Sequence, residues 1–248
     1  MRKFGLIGFP LGHSFSKDYF SKKFKDEGIE DAEYDNYPIE NIEEFESLHR
    51  NDKTLQGLNV TIPYKESIIK HLDVLSAEVR EIGAVNTICL CRKTGKFVKV
   101  GHNTDIQGFR RSLEENLVNK PDKALVLGTG GSSKAVVFVL REMGVELINV
   151  SSSGKEGAIS YKDIDDELVK SAKLIVNTTP LGMSPNEDTY PDIPYEAITK
   201  GHLLFDLVYN PLETMFMKKG KEKGAKVVNG YDMLVYQAEG SWEIWNRK

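Results

Sequence analysis

The chain has 248 residues, 40% of them hydrophobic and 28% charged, and a formal net charge of -4 at pH 7. That composition is globular rather than disordered, and the length suits one large α/β domain or two modest ones. The acidic balance removes the electrostatic case for nucleic acid, and no stretch reaches the roughly 18 apolar residues of a membrane helix.

Met1-Arg2-Lys3 ahead of Phe4 to Gly8 has the outline of a signal peptide. Its apolar run is short and soon meets His13 and Lys17, so a first β-strand is the better reading. Ser16 to Gly28 is predicted as a helix with Phe15, Tyr19, Phe20 and Phe24 on one side, and Glu33 to Ile39 as an extended segment. A helix through Ile42, Phe45 and Leu48 follows, then a strand from Leu55 to Ile62 that stops at Pro63. Lys65 to Leu75 and Ala77 to Ile82 read as short helical pieces. Ala84 to Cys91 and Lys96 to Val100 read as a hairpin around Thr94-Gly95.

Cys89 and Cys91 share a face of that predicted strand, a spacing that rarely suits a disulfide. The histidines (His13, His49, His71, His102 and His202) are scattered without zinc-like spacing. Reduced cysteines, a cytoplasmic location and no bound metal are therefore expected.

Beyond residue 103 the pattern changes. Lys123 to Leu127, Leu147 to Val150, Leu174 to Asn177, Leu203 to Leu207 and Lys226 to Val228 are short, continuous apolar runs alternating with helix signals. Such runs mark a parallel sheet buried on both faces. The last helix carries Leu234, Ala238, Trp242 and Trp245 as an apolar stripe, and Lys218 to Lys223 reads as a solvated helix face. Two α/β domains with a junction near residue 103 are the expectation.

Gly128-Thr129-Gly130-Gly131-Ser132-Ser133 follows the first of these strands and precedes a helix, the context a dinucleotide turn requires. Gly128 permits the tight turn, Gly130 lets a pyrophosphate approach the backbone, and the helix N-terminus favours negative charge. An acid about 20 positions beyond the first glycine would signal NAD. Here Ser151, Ser152, Ser153 and Lys155 stand near that place, which suits the phosphate of NADP better than a bare ribose.

Reduction of a ketone also needs a proton donor and groups that orient the substrate. Asn59-Val60-Thr61-Ile62-Pro63-Tyr64-Lys65 sets Asn59 and Thr61 on one strand face with Lys65 just beyond the proline turn. Gly101-His102-Asn103-Thr104-Asp105 is a polar loop joining the two halves, in which Asp105 is a fair helix N-cap. On spacing alone, each cluster reads equally as a strand end or a helix cap.

Gly8-Phe9-Pro10-Leu11-Gly12-His13-Ser14-Phe15-Ser16, the Asn59 to Lys65 segment, Gly83-Ala84-Val85-Asn86-Thr87 and Asn103-Thr104-Asp105 occur in this order. Asn177 to Met183, Asp206 to Thr214 and Gly230 to Ala238 follow them. As a set, spanning nearly the whole chain, these motifs resemble the shikimate dehydrogenase family. The resemblance implies an N-terminal α/β substrate domain over residues 1–103, completed by a C-terminal helix at 231–248. A Rossmann-like, doubly wound dinucleotide-binding domain would occupy 104–230, with the active site in the cleft between the two.

It further implies reversible, NADPH-dependent reduction of 3-dehydroshikimate to shikimate. Lys65 would donate the proton, with Asp105 beside it to orient substrate and lysine. Ser14 and Ser16 would hold the substrate carboxylate, and Asn59, Thr61, Asn86, Tyr209 and Gln237 the carboxylate end or ring hydroxyls. Gly128, Thr129, Gly130, Gly131, Ser132, Ser151, Ser152, Lys155, Thr178, Met183, Val208 and Gly230 would line the cofactor site. His13 and His102 take packing or supporting roles. The implied partners are a small-molecule substrate and, at most, a second copy in a homodimer, with neither nucleic acid nor membrane.

This sequence departs from the family where NADP-using members carry Asn-Arg-Thr: Ser151, Ser152 and Ser153 stand there, without the arginine. Lys155 is the nearby cation, a point charge rather than a bidentate fork. NAD-dependent quinate/shikimate oxidation and a catalytically silent ligand-binding regulator stay open as alternatives. Retention of Lys65 and Asp105 argues against the second.

Overall fold

The computed structural model describes residues 1–12, 14–93, 96–154 and 156–247. The elements run in chain order from β1 (Arg2–Gly8) through α1 (Phe15–Asp26), β2 (Ala32–Pro38), α2 (Phe45–Asn51) and β3 (Leu55–Val60). Then come β4 (Val74–Leu75), α3 (Ala77–Ile82), β5 (Thr87–Lys93), β6 (Lys96–His102) and α4 (Asp105–Asn116). The second half holds β7 (Lys123–Leu127), α5 (Gly131–Glu142), β8 (Glu146–Val150), α6 (Asp166–Ser171) and β9 (Leu174–Asn177). The chain finishes with β10 (Leu203–Asp206), α7 (Met215–Glu222), β11 (Lys226–Val228) and α8 (Tyr231–Asn246). Two compact units result: Met1–Thr104 with Gln237–Lys248, and Asp105–Tyr236.

The first unit is built on a six-stranded sheet in the order β2-β1-β3-β5-β6-β4. β1 runs parallel to β2 and β3, whereas β5 is antiparallel to both β3 and β6. Strand alternation sorts its residues to two faces. Ile7, Leu58, Val60 and Ile88 pack with Phe45 of α2, Val79 of α3 and Ile68 of the segment between β3 and β4. Phe4 and Leu6 instead pack with Phe20 and Phe24 of α1 and with Ala238 and Trp245 of α8.

Trp245 is the fastener of that second face. Its ring stacks on Phe4 at 4.8 Å between centroids, and Nε1 donates to the carbonyl of Ile88 at 3.0 Å. Gly57 is required beneath it, because a Cβ there would overlap the indole. The two tryptophans thus pack the closing helix, as their spacing suggests.

The second unit carries five parallel strands in the order β11-β10-β9-β7-β8. Leu125, Leu127, Ile175 and Leu204 face Val169 of α6 and Phe216 of α7. Phe205, the next residue along β10, meets Phe109 of α4 edge-on, 5.1 Å between centroids. Helices therefore cover both faces, as expected of a doubly wound sheet. The strand order reverses between β7 and β9, the switch point where such sheets bind ligands beyond their carboxyl ends.

Several expectations change. Lys65 to Leu75 is not continuous helix: a 3-10 turn covers Ser67–His71, and β4 then pairs with β6. Helix α4 begins at Asp105, an acid in its first turn. The cysteines are joined as a disulfide, their Cα atoms 5.6 Å apart, which overturns the reading of two reduced thiols. That separation lies inside the ordinary disulfide range. The paired strands β5 and β6 form the expected hairpin, but its turn at Thr94-Gly95 lies outside the described residues, as does His13. No helix among the described residues is long and apolar enough to cross a membrane.

Candidate active site

Three segments of the first unit converge through their backbones. Val60 N donates to the carbonyl of Asn86 at 2.8 Å, Val85 N to Lys65 at 2.7 Å, and Asn86 N to His102 at 3.1 Å. The Asn59 to Lys65 strand end, the Ala84 to Thr87 segment and the His102 to Thr104 loop are thus laid side by side. Asn103 ties the arrangement down, its Nδ2 donating to the carbonyl of Ala84 at 3.0 Å.

Beneath this junction lies a buried polar layer. Asn59 accepts from the hydroxyl of Tyr34 at 2.8 Å, and its Nδ2 donates to Ser241 at 2.8 Å and Thr87 at 3.2 Å. Asn86 Oδ1 accepts from Thr104 N at 2.7 Å and from the Thr87 hydroxyl at 3.0 Å. Its Nδ2 donates to Thr104 Oγ1 at 3.0 Å and to Gln237 Oε1 at 3.3 Å. Buried amides and hydroxyls are costly unless paired, and here they pair with one another across strands and α8. Burial pushes the Tyr34 phenol up, with a hydrogen bond to Ser16 acting the other way.

Four expected substrate residues, Ser16, Asn59, Asn86 and Gln237, therefore belong to one network. The others stand differently. Thr61 is half-buried at the end of β3, its methyl filling the space that a Cβ on Gly8 would need. Ser14 caps α1, accepting from Lys17 N at 3.4 Å. Tyr209 belongs to the second unit, where burial raises its phenol. Lys65 is half-buried, and Asp105 is buried at the start of α4. Burial lowers the His102 imidazole, assisted by Arg247, so the ring is neutral at pH 7 and suited to a supporting role.

The dinucleotide turn follows β7 at the switch point. Gly128 has φ +108°, and a Cβ there would sit 2.6 Å from Thr178 Oγ1. Only glycine fits both demands. Thr178 is itself fixed, its hydroxyl donating to the carbonyl of Leu127 at 2.7 Å. Gly130 caps α5 with open space where a Cβ would be, and Ser133 donates to the carbonyl of Gly130 at 2.6 Å. Gly131 and Ser132 open the helix, and Thr129 stands half-buried before it.

Past β8, Ser151 is buried and accepts from Ser153 N at 3.2 Å, while Ser152 is exposed. Lys155 lies outside the described residues. A cleft of about 150 Å3 opens beside the turn, with Gly128, Thr129 and Asn149 in its lining. The cradle fits the pyrophosphate of a dinucleotide: open backbone, a glycine that side chains cannot replace, and a helix N-terminus.

The loops after β9 and β10 are pinned by one carboxylate. Asp206 is fully buried and accepts from Asn177 Nδ2 at 2.9 Å, Val208 N at 3.0 Å and Thr214 Oγ1 at 2.6 Å. Burial raises it to about 6 in spite of those bonds. Asn177 in turn accepts from Thr179 Oγ1 at 2.6 Å. Met183 is exposed, Val208 is buried, and Gly230 N donates to the carbonyl of Val208 at 3.1 Å. A Cβ on Gly230 would strike the backbone of Leu207. Among the described residues, no group of three or more His, Cys, Asp or Glu side chains is placed to hold a metal.

A family model described as the shikimate dehydrogenase substrate binding domain matches residues 6–88. A Clostridium perfringens protein named shikimate dehydrogenase (NADP(+)) is 39% identical, covering 99% of this chain and 93% of its own. The chain belongs to the shikimate dehydrogenase family. Its fold agrees with a Thermus thermophilus shikimate 5-dehydrogenase solved with NADP(H) and shikimate. The TM-score is 0.87 at 31% identity, covering 99% of this chain and 94% of the other. A quinate dehydrogenase from Corynebacterium glutamicum solved with NAD has a TM-score of 0.85 at 26% identity, covering 99% and 93%.

Within this family member, four residues escaped the sequence reading. Thr87 and Thr104 sat inside quoted motifs without a role, yet both bond to Asn86 and to Ser241. Ser241 was discoverable, lying one helical turn beyond Gln237, whose carbonyl it meets at 3.0 Å. Tyr34 had no signal, because its contact to Asn59 joins strands that are not neighbours in the sheet.

Proposed function

We propose that this family member interconverts 3-dehydroshikimate and shikimate with NADP. On this reading residues 1–103 with 231–248 form the substrate-binding catalytic domain, and 104–230 bind the cofactor. The observation that carries it is the backbone convergence of three motif segments, in which Val85, beside Asn86, donates its N–H to the carbonyl of Lys65 while Asn86 belongs to a buried polar network. A hydroxylated ring acid needs many donors and acceptors with fixed orientation, and a fully paired network holds amides in one pose.

The cofactor supplies the hydride. Lys65 gives its proton to the developing alkoxide, and its positive charge stabilises that oxygen until the transfer. Asp105 holds substrate and lysine in register. Ser14, Ser16, Asn59, Thr61, Asn86, Tyr209 and Gln237 contact the acid and its hydroxyls. Gly128, Thr129, Gly130, Gly131 and Ser132 receive the pyrophosphate. Ser151, Ser152 and Lys155 take the adenosine end, and Thr178, Met183, Val208 and Gly230 the remainder of the dinucleotide.

The test is a nicotinamide absorbance assay crossing shikimate and quinate with NADP and NAD. Fast reduction of NADP with shikimate is the expected result. Preference for NAD or quinate would favour the second reading, a quinate/shikimate dehydrogenase, which Ser152 in place of the family's arginine supports. Inactivity of the folded protein with every pair would discard both. A cytoplasmic location goes with the leading reading, and fractionation of intact cells tests it.

A further inference from the structure

The chain after β8 does not run away from the cofactor turn. Ser151 N donates to the carbonyl of Ile159 at 2.9 Å, and Ile159 N to that of Asn149 at 2.9 Å, bridging Val150 to Ile159. That return brings Glu156 into the lining of the 150 Å3 cleft, together with Asn149 and with Lys134 from the first turn of α5. An acid sought about 20 positions beyond Gly128 is absent from β8's end but arrives later through this loop.

Lys134 and Glu156 are the ionisable residues of the described lining, and they carry opposite charge. Asn149 Oδ1 is buried there and accepts no hydrogen bond among the described residues, so it is an acceptor suited to a hydroxyl or amino group. The adenosine end of a dinucleotide offers both groups, and its two common forms differ only by a phosphate on the ribose 2′ position.

We propose that Lys134 and Glu156 set selectivity at that 2′ position from opposite sides, an inference resting on the dinucleotide reading above. Lys134 attracts a 2′-phosphate. Glu156 repels it and accepts from a bare 2′-hydroxyl. The family's arginine would grip a phosphate with two parallel bonds, whereas a lysine supplies one point charge. Within the described lining, discrimination therefore rests on two single charges of opposite sign, and it weakens as salt screens them.

Calorimetric titration of the full chain with NADP+ and with NAD+, in the absence of any substrate, reads this without turnover. Lys134→Gln is expected to weaken NADP+ roughly tenfold and NAD+ less than about twofold, the scale of one partly screened charge. Glu156→Gln is expected to shift the ratio the other way, tightening NADP+ severalfold and loosening NAD+. An unmoved ratio in either variant overturns the proposal while leaving the dinucleotide site in place. Failure of the unaltered protein to bind either nucleotide would overturn the cofactor reading itself.

Discussion

The hydroxyl of Tyr34 on β2 donates to Oδ1 of Asn59 on β3 at 2.8 Å, across the intervening strand β1. Both side chains are buried, so this bond fixes which way the Asn59 amide points, and hence which atom faces Ser241 and Thr87. Tyr34→Phe keeps the ring and strands the acceptor. It should lower stability by about 1–3 kcal/mol, the cost of an unsatisfied buried group. Shikimate's KM should rise more than kcat falls. Chemical denaturation and steady-state kinetics check the two parts separately, and unchanged stability would show that water or a neighbour replaces the bond.

Lys65→Ala should reduce turnover by roughly 10²–10⁴-fold, the usual scale of general acid catalysis, while substrate affinity changes much less. Single-turnover measurement with direct binding of shikimate separates the effects. Near-normal turnover would remove Lys65 from the chemistry.

Gly128→Ala adds a methyl at φ +108° and 2.6 Å from the Thr178 hydroxyl. The turn must open, and dinucleotide affinity should fall by at least tenfold while shikimate binding in the first unit persists. Titration calorimetry with each ligand is the check. Equal loss of both would mean that the variant disturbs the whole fold.

Asp206 introduces a pH dependence of uncommon sign. Its folded value is about 6 because burial disfavours the carboxylate, against an ordinary value of 3.8. Between these values the folded chain holds a proton that the unfolded chain has released, so stability is greatest at low pH and falls as pH rises through that window. Asp206→Asn removes the titration. The stability of the wild type relative to the variant should therefore drop by about 3 kcal/mol between pH 3 and pH 7, measured by denaturant unfolding across the range. A constant difference would place the proton elsewhere.

The second unit was the more legible half. Its strands are buried on both faces, so short apolar runs such as Leu174–Asn177 and Lys226–Val228 stand out with correct bounds. Helix α6 was missed because six residues give little period to read, although Asp165 caps it plainly, accepting from Leu168 N at 2.8 Å. In the first unit the motifs were visible but the partners were not. Asn59 and Asn86 announce polarity at a strand end, yet nothing local says that Tyr34 and Ser241 will meet them. Glu156 was hidden by the same kind of distance: a loop that folds back carries it to a cleft that linear spacing assigns to residues nearer β8.

The boundary between the two units falls within α8, since Gln237 and all that follows belong with Met1–Thr104. Synthesis therefore finishes the compact units in the reverse of their starting order. Residues 105–236 are all present before Ser241 and Trp245 exist to pair with Asn59 and Ile88. Until then the first sheet has an uncovered apolar face and unmatched amides. The usual sequence in which an N-terminal domain matures first during translation cannot operate here. A chain truncated after Tyr236 should display a protease-resistant second unit and a protease-sensitive first one.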